Sequence, residues 1–209
     1  MDQDYTYLDK ALPGFIKARG IIKRHKDSVT MFEFNGDKFE FYRFVNRYRM
    51  AVRFKGVSLD GFGIETQKGY SALTRVFLSW SVFERYMELC GIWHPYSKFF
   101  RHVPRQELAA LTKLILRNDP GKKLFDFLRH HLKDDLHKNS LDRFGSGDSW
   151  AVVYYASALR HIYVHGHLTA SPQGVPAENI AMICNEVSRS LLHWIKTDFD
   201  RRLSLAAMV

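Results

Sequence analysis

Cysteine is nearly absent: Cys90 and Cys184 are the only two in 209 residues. Two cysteines cannot staple a chain of this length, so a disulfide scaffold is excluded. Apolar runs are short. None approaches the roughly eighteen residues that a membrane-spanning helix needs, so no membrane partner is expected. The start, Met1-Asp2-Gln3-Asp4, is acidic and lacks the basic residues and apolar stretch of a signal peptide. A cytoplasmic, reducing compartment with both thiols free is the expectation. Internal repeats and low-complexity segments are also missing.

What is present is an ordinary globular balance, 46% apolar and 25% charged. Aromatic residues, at 14%, are enough to fill a core, which excludes a disordered chain. The length suits one large domain better than two small ones. The net charge of +9 hints at a polyanionic partner. That charge is not held on a tail. Residues 1–69 and 70–150 each carry 13 basic and 9 acidic side chains, whereas 151–209 carry 5 and 4.

Along the chain, the spacing of apolar residues predicts helices. Residues 1–37 read as an N-terminal extension. It holds a short helix at Asp9–Lys17, broken by Pro13-Gly14, and a short strand at Val29–Phe34 before an Asn35-Gly36 turn. Asp37 and Glu40, three apart, form a capping-box pattern. Phe41, Phe44, Val45, Tyr48, Ala51 and Val52 then follow at helical spacing, predicting a helix over 38–55 that stops at Gly56. Arg43, Arg47, Arg49 and Arg53 lie off its apolar stripe. A Gly-rich loop spans Gly56–Gly69. A long core helix follows over 70–90, traced by Leu73, Phe77, Trp80, Glu84 and Met87 and ending at Gly91.

Further helices are expected at 104–117, at 120–132 after an Asp119 cap with Pro120 in the first position, at 150–164 ending before Gly166, and at 178–203. His130, His131, Lys122 and Lys123 read as surface, and Cys90 as core. The fold expected is all-α: an antiparallel bundle of five to six helices over residues 38–209.

One segment stands out: Leu159-Arg160-His161-Ile162-Tyr163-Val164-His165-Gly166-His167. An arginine late in an apolar helix precedes, by five residues, a histidine at the helix end. Five residues advance about 500°, leaving the two side chains roughly 140° apart on a straight helix. They converge only if His165 sits in a looser last turn. Arg19 and His25 share a similar spacing, but in a solvated basic run broken by Gly20.

This arrangement resembles the HEPN superfamily (higher eukaryotes and prokaryotes nucleotide-binding domains). That family is all-α and marked by Arg, four to six residues and His, often with a polar residue directly after the Arg. Arg160, His161 and His165 match these positions, and the likeness covers roughly residues 38–203. The resemblance implies a metal-independent endoribonuclease, a toxin or defence protein, with catalytic Arg160 and His165 and no cofactor. His161, His167 and Glu84 would support them. One motif supplies only one histidine. The resemblance therefore also implies a homodimer whose facing motifs give an acid and a base. RNA would be the substrate, with an antitoxin or regulatory protein as a further partner. One HEPN toxin subgroup has Tyr two residues after the motif His. His167 stands there instead, which argues against tyrosine modification as a control.

The same residues admit other readings. Arg160 and His165 would also brace a helix end, the histidine favouring its negative pole. A zinc site at His161, His165 and His167 lacks the metalloprotease Glu and any Cys cluster. Glu84 would orient the arginine or form a surface salt bridge. Arg43, Arg47, Arg49 and Arg53, interleaved with aromatics, would hold an RNA backbone or line a solvated face. The alternatives to a ribonuclease are a non-catalytic nucleotide- or partner-binding module and a structural helical dimer.

Overall fold

The computed structural model describes residues 11–12, 14–25, 28–93 and 97–206. Among these, every regular element is helical: α1 (Phe15–Arg24), α2 (Lys38–Arg53), α3 (Ile64–Leu89), α4 (Arg105–Asn118), α5 (Lys123–His131), α6 (Asp135–Gly145), α7 (Val152–Val164) and α8 (Ala177–Ala206). A single helical turn, Ser97–Phe100, and four short 3₁₀ turns complete the list. Eight helices thus stand where five to six were expected. The additional ones are α1 and α6. Val29–Phe34 is not a strand: Thr30–Phe32 forms a 3₁₀ turn, and no other extended segment among the described residues is there to pair with it. The expected helix at Asp9–Lys17 falls largely outside the described residues.

The chain divides into two compact units. The first comprises residues 1–53, 81–102 and 191–209. The capping box forms as its sequence pattern predicts. The Glu40 amide donates to Asp37 Oδ1 at 2.9 Å, and the Asp37 amide donates back to Glu40 Oε2 at 3.1 Å. The helix so started buries Phe41, Phe44, Val45, Tyr48 and Ala51. Phe44 packs at 5.0 Å from Tyr86 and 5.7 Å from Phe199, and Phe34 at 6.1 Å from Phe41. Each buried aromatic contributes on the order of 1.5–3 kcal/mol by leaving water. Within this core lies one polar knot. Tyr86 Oη and Arg202 Nε both donate to Asp198 Oδ2 at 2.8 Å, and Arg201 donates to Oδ1 at 2.6 Å. Burial pushes the Asp198 carboxyl up, but the two guanidiniums and the tyrosine outweigh it and hold the acid below its ordinary range. Cys90 is buried beside this knot, and burial pushes its thiol up to about 12.

The second unit comprises residues 54–80 and 103–190. Here α3 begins at Ile64 rather than Tyr70, because Gln67 ties its first turn to the loop. The Gln67 side chain donates to the Phe62 carbonyl at 2.7 Å. Asp119 lies buried at the end of α4. Both its oxygens accept amides, from Leu124 at 2.8 Å and Phe125 at 2.9 Å, so one carboxylate starts α5 across an intervening 3₁₀ turn. The Asn179 side chain donates through Nδ2 to the Asn118 carbonyl at 2.8 Å, fixing the start of α8 against the end of α4. Tyr163 and Thr74 share a hydrogen bond of 2.9 Å, which holds the last turn of α7 against α3. Cys184 is buried in this unit and burial raises its thiol as well, so neither cysteine is a thiolate nucleophile.

No helix among the described residues is long and apolar enough to cross a membrane.

Candidate functional site

The motif lies at the C-terminal end of α7, and its geometry follows from Gly166. The last helical residues leave carbonyls without intrahelical partners. Gly166 takes φ of 75°, a left-handed conformation that only glycine adopts without strain. Its amide then donates to Tyr163 O at 3.0 Å, and the His167 amide donates to Ile162 O at 3.1 Å. This is the Schellman pattern. It leaves His165 as the cap residue, with backbone angles of −82° and 5°, and turns His167 back along the helix.

The expected looser last turn is therefore present, and His165 sits in it. The side chain it meets in the pocket described below is His161, one helical turn earlier, with ring centroids 4.5 Å apart. Residues four apart share a helix face. Arg160 is half-buried and lies off the pocket lining, though its charge is felt at His161.

Two further elements complete the site. A pocket of about 370 Å³ is walled by His161, Ile162, His165 and His167 on one side. On the other side lie His131 at the end of α5, the Leu132-Lys133-Asp134 link, and His137 in the first turn of α6. The rings form two strings. His137 lies 6.2 Å from His161, which lies 4.5 Å from His165, and His131 lies 5.4 Å from His167. His131 Nδ1–H donates to the Phe127 carbonyl at 2.9 Å, so its neutral ring carries the lone pair on Nε2. Asp134 does two things. Its Oδ1 accepts the Leu136 amide at 2.7 Å and caps α6, while its Oδ2 lies 3.4 Å from His137 Nδ1.

Burial lowers the pKa of His161, helped by its electrostatic interaction with the neighbouring His165 and His137 and with the Arg160 guanidinium. Biased toward its neutral form, this imidazole can accept a proton. Several imidazoles around one open pocket can both give and take protons near neutral pH. Beside Lys133, they can also hold an anion once protonated. No group of three His, Cys, Asp or Glu side chains among the described residues is disposed to hold a metal ion.

Sequence reasoning missed His131 and His137. His131 was assigned to the surface with His130; His130 is exposed, but His131 is half-buried in the pocket wall. His137 lies in a stretch given no element. The usable signal was Asp134 as a cap, with Leu141 and Phe144 three apart behind it.

The remaining predicted residues belong to the first unit. Glu84 is half-buried on α3. On α2, Arg43 and Arg53 are exposed, Arg47 and Arg49 are half-buried, and Arg47 donates to Ser81 Oγ.

No family model, curated protein or solved structure matches this chain.

Proposed function

We propose that this chain is a metal-independent endoribonuclease of HEPN type. The observation that carries the reading is the histidine pocket at the end of α7, where His161 and His165 come together beside the charge of Arg160. RNA cleaves itself when its 2′-oxygen attacks the adjacent phosphorus and the 5′-oxygen departs. An imidazole takes the 2′-OH proton, an imidazolium returns a proton to the leaving oxygen, and a guanidinium offsets the charge that builds on phosphorus. His165 supplies the base and Arg160, acting by its charge from outside the pocket lining, the guanidinium, with His161 supporting the base and His167 contacting phosphate. No metal enters the step. The products are a 2′,3′-cyclic phosphate and a 5′-hydroxyl.

The exposed arginines of α2 are proposed to hold RNA backbone by charge, and the excess of basic over acidic residues in the first two thirds of the sequence supports this. A toxin or defence role, with an antitoxin or regulatory protein as partner, rests on the resemblance alone. Incubation of the purified chain with single-stranded RNA in EDTA tests the reading. Cleavage by the wild type, lost on Arg160→Ala and on His165→Ala, is the expected result. RNA that is bound but left uncut would favour a nucleotide-binding module instead.

A further inference from the structure

The HEPN resemblance asks for a second copy of the chain because one motif holds one motif histidine. The pocket removes that need. His137 comes from α6, outside the motif, and enters the same cavity as His165. Its ring lies 6.2 Å from His161 and nearly parallel to it, at 23°. It is backed by a carboxylate: Asp134 Oδ2 lies 3.4 Å from its Nδ1. Asp134 is itself fixed, because its other oxygen caps α6. A carboxylate at Nδ1 orients an imidazole and leaves Nε2 as the atom that can hand over a proton, which is the arrangement a general acid requires. The pocket, at about 370 Å³, falls in the ~300–1,000 Å³ range of small-ligand sites. It has room for a phosphodiester and part of one flanking nucleoside.

We infer that His137, held by Asp134, is the general acid of this site, so that a single copy of the chain carries both proton-transfer groups. The inference rests on the ribonuclease reading above. His165 takes the proton from the 2′-OH. The 2′-oxygen bonds to phosphorus, the bond from phosphorus to the 5′-oxygen breaks, and the His137 imidazolium gives that oxygen its proton. The charged and titratable groups facing His137 are Asp134 at its own cap, Lys133 in the link, His131 of α5, His161 and His165 of α7, and His167 beyond it.

The test compares two substrates in EDTA, a single-stranded RNA and uridine 3′-(p-nitrophenyl phosphate). The nitrophenolate of the second leaves without needing a proton. His137→Gln should lower kcat on RNA by about 10²–10⁴-fold and remove the alkaline limb of its pH profile, since the acid must be protonated to act. On the nitrophenyl ester the same variant should lose less than about tenfold. Its melting should match the wild type, as His137 lies on a partly exposed first turn. The rate per chain should not change with protein concentration.

Equal losses on both substrates would reduce His137 to a structural role and overturn the assignment. Full activity of the variant on RNA would do the same. Cleavage regained on mixing His137→Gln with His165→Ala would show that a second copy completes the site, and would overturn the single-chain claim. A wild-type chain that cuts neither substrate would instead overturn the ribonuclease reading itself, and this inference with it.

Discussion

His161 owes its lowered pKa first to burial and then to its electrostatic interaction with His165, His137 and Arg160. The sign of the consequence can be worked out. A histidine harder to protonate when folded leaves stability untouched above its unfolded value, near 6.5. Stability is lost as pH falls from that value through the lower folded one. Titration by NMR should place His161 below the ordinary histidine range, and Arg160→Ala should move it upward. An unshifted His161 would contradict the geometry of the pocket. Asp198 behaves in the opposite sense. Its depressed pKa contributes stability at neutral pH that is lost as pH falls below the ordinary carboxylate range. Asp198→Ala strips the nearly buried Arg202 of its buried carboxylate, leaving it the Glu33 carbonyl at 2.6 Å and the exposed Glu33 carboxylate at 3.8 Å. Such broken pairs typically lose about 3–5 kcal/mol, and chemical denaturation would read it.

At the scale of the element, the turn after α7 matters most. Gly166→Ala forces a Cβ into a left-handed conformation, at about 1–2 kcal/mol. It should also displace His165 and His167, so the loss in RNA cleavage should exceed what the stability loss explains. Activity and melting measured on one preparation separate the two effects. On α2, Arg43→Ala and Arg53→Ala should each weaken RNA binding and reduce the salt slope by about one. An unchanged slope would assign these side chains to a merely solvated face.

Helices with a continuous apolar stripe and a clear stop were legible from the sequence. The capping box at Asp37 and Glu40, the stop at Gly166 and the buried series Ile180, Ile183, Val187, Leu191 and Trp194 are examples. What escaped was α6. It buries only Leu141 and Phe144, while Leu136 is 71% exposed, so its hydrophobic period is faint. The half of the site on α5 and α6 escaped for a second reason. His131 and His137 are distant in sequence from the motif, and only tertiary packing brings them to it.

Taken whole, the molecule spreads its positive charge over the first two thirds of the sequence, whereas the motif segment is nearly neutral. Composition therefore accords with a polyanionic substrate without locating the chemistry. We place the proposed chemistry in the pocket, a cluster of imidazoles drawn from α5, α6 and the end of α7. The central claim is that these groups cut RNA by its own 2′-hydroxyl without a metal. End-group analysis of single-stranded RNA digested in EDTA tests this most directly. The account predicts new 2′,3′-cyclic phosphate and 5′-hydroxyl ends, absent with His165→Ala. RNA left intact, or ends formed only when a divalent metal is restored, would contradict it.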